Sequence, residues 1–123
     1  MKNDVLGFMM DGDYDAFDWV ADQFLDYEHV NILEIGTLFG KSAVAIDDAF
    51  AEKNINHNII TFDICIGFLG IDGVENVAEC RCDSDKQYER IKQNLTGRNN
   101  IQFIREFWQP DSDINFEPDF VFY

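Results

Sequence analysis

The sequence predicts a layered α/β domain built on a parallel sheet, and three observations carry that expectation. The run Ile59-Ile60-Thr61-Phe62 is β-prone without polar alternation, as in a parallel strand covered on both faces. Segments with helical spacing separate the strand-like runs, so strands alternate with helices joined by right-handed crossovers. The strand Val30–Ile35 leads through a turn bounded by Gly36 and Gly40 into a helix start at Lys41.

Residues 1–12 show no periodicity and read as a flexible or loosely packed arm. A helix follows in which Phe17, Val20, Ala21, Phe24 and Leu25 recur on one face, while Asp15, Asp18, Asp22 and Asp26 take other positions. Trp19 falls off that stripe, as an exposed aromatic or a cap on a site mouth. Beyond the first strand, a helix from Lys41 to Glu52 turns Ala43, Ile46, Ala49 and Phe50 inward, and Asn54 to Asn58 ends it. The second strand runs from Asn58 to Ile64. Residues 65–82 hold three glycines among short apolar pieces and read as an irregular loop, a lid or a core flap. Asp83-Ser84-Asp85 suits a helix cap, Tyr88, Ile91 and Leu95 share one face of that helix, and Gly97 suits its end. Ile101–Ile104 and Asp119–Tyr123 read as strands three and four. His29 and His57 fall at element boundaries and read as surface turn residues.

At 123 residues, with 46% hydrophobic and 15% aromatic content, the chain is expected to fold as a single domain. A net charge of −15 repels phosphate backbones and anionic headgroups, which argues against nucleic acid and membrane surfaces as partners. The longest apolar stretch near the start, Val5 to Met10, is too short for a membrane span. Cys65, Cys80 and Cys82 make an odd set without metal-ligand spacing, so reduced thiols and a cytoplasmic location are expected.

The turn carries the chemistry. A Walker A loop needs four residues between its glycines, and Gly36-Thr37-Leu38-Phe39-Gly40-Lys41-Ser42 has three. A dinucleotide fingerprint needs a middle glycine where Leu38 stands. Glu34 ends the strand beside the turn, where a carboxylate can accept hydrogen bonds from ligand hydroxyls or an amine. Ser42 and the free N–H groups of the helix start are expected to face the same crevice.

Glu34-Ile35-Gly36-Thr37-Leu38-Phe39-Gly40-Lys41-Ser42-Ala43 resembles the first motif of class I S-adenosylmethionine-dependent methyltransferases, in particular the small-molecule O-methyltransferase branch. The resemblance extends from about residue 30 to the end, with Asn58–Ile64 similar to the family's second strand and its terminal acid. It implies a Rossmann-like, partly parallel sheet of strand order 3-2-1-4 with helices on both faces. It also implies a cofactor site: Glu34 toward the methionine amine; Gly36, Thr37 and Gly40 as a backbone cradle; Ser42 as a donor. Asp63 would hold the ribose diol, Ile64 would lie against adenine, and Glu106, Phe107 and Trp108 would flank the adenine edge. In the family an acid follows the fourth strand and serves a divalent metal or a base. The chain stops at Tyr123, so the resemblance leads one to expect a truncated relative with no identifiable metal ligands or catalytic residues. The alternative is a non-catalytic nucleoside-binding or assembly module, forming a homodimer or meeting a partner chain through strand four.

Overall fold

Four short strands pair in parallel in the order β3-β2-β1-β4: β1 (Val30–Ile35), β2 (His57–Phe62), β3 (Ile101–Ile104) and β4 (Phe120–Phe122). This is the expected order, and all four are parallel. A computed structural model describes residues 3–7, 9–70, 80–114 and 116–123 of the chain. Its helices are α1 (Asp11–Asp22), α2 (Lys41–Glu52) and α3 (Ser84–Asn94).

The register sets two faces. Val30 and Ile32 of β1 and Ile59 of β2 form one core with Ala21 of α1 and with Ile46, Ala49 and Phe50 of α2; Ile101, Phe120 and Phe122 pack against it. Tyr88 of α3 meets Phe103 with ring centroids 5.9 Å apart, on that same side of β3. Thus, among the described residues, the three helices cover one face, where helices on both were expected. On the other face Leu33, Ile60 and Phe62 are covered by Trp108, Ile114 and Phe116 from the connection between β3 and β4. That connection is irregular for a local reason: Pro110 lacks an N–H, and Gln109 and Ser112 close a turn around it, with Ser112 N donating to Gln109 O and Gln109 N to Ser112 Oγ, both at 2.8 Å.

Three further expectations change. α1 starts at Asp11, with Asp13 accepting from Met10 N at 2.8 Å, and it ends before Leu25, which is exposed. The arm before α1 is anchored: Lys41 Nζ donates to the carbonyls of Asn3 (3.0 Å) and Val5 (2.8 Å), and Asn3 Nδ2 donates back to Lys41 O. His57 is not a surface residue but is 3% exposed. Its Nδ1 meets Ile55 O at 2.7 Å and its Nε2 meets Asp47 Oδ1 at 2.6 Å; both partners are acceptors, which makes the ring a cation. Arg98 completes the cluster on Asp47 and Asp48.

Asp83 caps α3 by accepting from Lys86 N, and Asp119 clasps β4 to β1 by accepting from Asn31 N. Of the 65–82 loop, residues 71–79 lie outside the described residues. Its two ends are joined where Phe68 and Cys82 exchange main-chain hydrogen bonds of 2.8 and 2.9 Å. Cys65 and Cys82 are free thiols. Among the described residues no helix is long and apolar enough to cross a membrane.

Candidate functional site

At the carboxyl ends of the strands the chain bends away at Gly36, and two cavities flank that residue. Parallel sheets with this order place their ligand crevice there, because the connections on either side of β1 diverge and leave a gap. Gly36 has φ +95°, and a Cβ built on it would meet nothing within 4 Å, so the turn is open toward the cavities.

The first cavity, of about 400 Å³, lies over the ends of β2 and β3. It brings together Gly36, Asp63, Ile64, Glu106, Phe107 and Trp108, six of the residues singled out from the sequence, with Leu38, Ile66, Phe68 and Gln87 among the remaining walls. Its surface is mostly apolar, with acids at the rim. Asp63 is committed in part to the protein: Oδ2 accepts from Leu38 N and Oδ1 from Cys65 N, each at 2.8 Å. Each oxygen keeps a lone pair for a further donor.

The second cavity, of about 360 Å³, lies between β1, β4 and the start of α1. Glu34, Gly36 and Ser42 line it with Met9, Asp13, Phe17, Phe122 and Tyr123. Glu34 is 1% exposed. Ser42 Oγ donates to Glu34 Oε2, and Thr61 Oγ1 donates to Oε1 at 2.6 Å. With its own proton used in this way, Thr61 accepts from Thr37 Oγ1, also at 2.6 Å. Burial pushes the Glu34 carboxyl up to about 7, against the hydrogen bonds from Ser42 and Thr61, and the Asp63 charge adds to the rise.

Two residues of the expected cradle stand elsewhere. Thr37 turns its hydroxyl inward to Thr61, and the N–H groups of Gly36 and Thr37 are both used by Phe62 O, at 2.7 and 3.2 Å. Gly40 is buried and lines neither cavity; its Cβ would meet Leu95 Cδ2 at 3.0 Å. Its φ of +90° turns the chain into α2.

Sequence reasoning missed Gln87. It is 2% exposed, donates from Nε2 to Leu38 O and accepts at Oε1 from Gly67 N, both at 2.9 Å, and so ties two walls of the first cavity to α3. Leu38 itself holds φ +53°. The only available signal for Gln87 was a polar residue in the first turn of a helix. Asp13 and Met9 were missed because a glycine motif says nothing of the arm and helix start folded beside it.

Two larger clefts, of about 490 and 480 Å³, lie at the opposite edge, beside the amino-terminal ends of the strands. Half of the residues lining each are asparagines, from turns and strand starts, and His57 there is already bound to Asp47. Among the described residues no group of three or more His, Cys, Asp or Glu side chains is placed to hold a metal ion. No protein-family model matches the chain, and no curated protein matches it at a significant level.

Proposed function

We propose that the chain binds S-adenosylmethionine or its demethylated product, with the adenosine in the first cavity and the amino-acid tail in the second. The observation that carries this reading is the meeting of the two cavities at Gly36, one mostly apolar with an acid at its rim and the other walled by a buried acid. The residues present fit such a ligand. Asp63 has acceptor capacity for a ribose diol, while Ile64, Phe107 and Trp108 offer apolar surface to a flat base. The open face of Gly36 lets the ligand cross from one cavity to the other, and Glu34 would hold the ammonium group.

When bound, S-adenosylmethionine supplies a methyl group on a sulfonium, open to in-line displacement by an acceptor oxygen or nitrogen. The chain's part is to bind and orient, holding donor and acceptor at near-attack distance. Phe17 and Phe122 wall the second cavity and restrict water there. An acceptor alcohol would further require a base or a metal to take its proton.

Calorimetry with S-adenosylmethionine, S-adenosylhomocysteine, NAD and ATP tests the reading. The two sulfur nucleosides should bind more tightly than the others, and tighter binding of NAD or ATP would overturn it. A second reading, a non-catalytic module that pairs through β4, is favoured by one observation: β4 has β1 on one side, its other edge is unpaired among the described residues, and Val121 and Tyr123 are exposed. A sharp monomer in light scattering across the micromolar range would remove it.

A further inference from the structure

Among the described residues two acids are buried, and their surroundings differ. Asp47 faces two cations, Arg98 at 2.9 Å and His57 at 2.6 Å. Glu34 has none. It is held by the hydroxyls of Ser42 from α2 and Thr61 from β2, and the charged group beside it is a second acid, Asp63. Lys41, next to Ser42 in sequence, directs its ammonium to the Asn3 and Val5 carbonyls. α1 contributes Asp13 to the same cavity, and β4 with the residue after it contributes Phe122 and Tyr123. The described groups that bond to Glu34 or share its cavity are therefore neutral or acidic. A buried carboxylate in such surroundings is costly, and a proton is the simplest way to neutralise it.

We infer that a cationic ligand group entering the Glu34 cavity expels one proton from the chain and replaces it as the neutralising charge. This rests on the reading of a cofactor with a positively charged tail, since an uncharged ligand would leave the proton in place. The balance is simple. The O–H bond of the Glu34 carboxyl breaks, the proton passes to a buffer base, and the carboxylate stays behind, paired with the ligand cation and still accepting from Ser42 and Thr61. Phe17 and Phe122 place aromatic rings in the wall of the same cavity, where a cation would meet them. Since burial pushes the carboxyl up to about 7, the free chain holds this proton through mildly acidic pH.

The test is calorimetric titration with S-adenosylhomocysteine, whose ammonium is its cation, in buffers of different ionisation enthalpy. The dependence of apparent enthalpy on buffer should give about 0.9 proton released at pH 6 and about 0.1 at pH 8, with affinity rising about tenfold between them. Glu34→Gln should abolish the release and flatten the pH profile of affinity. Should that variant not fold, Thr61→Val serves: it removes a hydroxyl that favours the carboxylate, so the release should persist to higher pH. Binding without proton release at pH 6, or release unchanged in both variants, overturns the inference while leaving the cofactor reading intact. Absence of binding at every pH overturns both.

Discussion

Gly36 and Gly40 have nearly the same backbone strain and opposite surroundings, so one methyl group at each separates ligand contact from folding. Their φ values are +95° and +90°, and an alanine at either position carries a left-handed penalty of roughly 1–2 kcal/mol. At Gly40 the added Cβ also meets Leu95 Cδ2 at 3.0 Å, the end of a flexible side chain that can shift by a few tenths of an ångström. Gly40→Ala should therefore be at least as destabilising as Gly36→Ala, each lowering the urea midpoint by on the order of 1 M. At Gly36 the Cβ meets no protein atom within 4 Å and stands where the two cavities join. Gly36→Ala should thus weaken S-adenosylhomocysteine by tenfold or more, a loss of about 1.4 kcal/mol, while folded Gly40→Ala stays within about threefold of the parent. Calorimetry at a temperature where both variants are folded reads the difference. An equal or greater affinity loss in Gly40→Ala would refute the placement of the ligand over Gly36.

Asp63→Asn keeps one acceptor for the loop and loses the charge, so it should reduce S-adenosylhomocysteine affinity about tenfold or more at a stability cost below about 1.5 kcal/mol; unchanged affinity would sink the ribose assignment. Stability should also peak on the acid side of neutrality. The Glu34 carboxyl is raised from 4.5 to about 7, so the unfolded chain ionises first and unfolding free energy falls on the order of 3 kcal/mol between those values. For His57, burial pulls the ring's pKa down, but its bonds to Asp47 and Ile55 and the Asp47 charge outweigh that and leave it raised. Its contribution is therefore complete below 6.5 and is lost as pH rises through the folded value. Asp47 is lowered in net, burial being outweighed by His57 and Arg98, and its contribution is lost as pH falls below 3.8. Urea unfolding from pH 3 to 9 checks this, and a maximum near pH 8 would mean that Glu34 ionises at no cost.

The first two strands were legible because each is an apolar run that ends near an acid, Glu34 or Asp63, before a change of period, whereas the order 3-2-1-4 came with the resemblance. The open turn at Gly36 was legible for the same reason. Which N–H groups remain free in that turn was not, since it depends on Phe62 O arriving from the neighbouring strand to accept from Gly36 and Thr37. Gly40 shows the limit of a motif: a glycine needed for a left-handed turn and for room beside Leu95 reads the same in sequence as one needed for a ligand. His57 looked like a boundary residue because Asp47 and Arg98, its direct and indirect partners, lie 10 and 41 positions away. Helices were expected on both faces because strands alternate with helices up to β3, and the change comes only in the stretch around Pro110 that takes the place of a helix.

The walls of both cavities share one construction. Asp63 binds Leu38 N from the end of β2, and Gln87 binds Leu38 O from α3, so the left-handed Leu38 is held at both its amide and its carbonyl. The same two side chains continue to Cys65 N and Gly67 N, which carries the constraint from the glycine turn to the far wall. Lys41 does for the arm what Gln87 does for the loop, gripping two main-chain carbonyls from the first turn of α2. A strained residue persists when its surroundings over-determine it, and here one bond comes from α3 and the other from the residue that directly follows β2. The platform around Gly36 is thus largely set before a ligand arrives, and the entropy that would otherwise oppose ordering of the turn on binding has been lost already in folding. In the proposed exchange the group that responds to a ligand is the Glu34 carboxyl, with the hydroxyl rotors of Ser42 and Thr61 beside it.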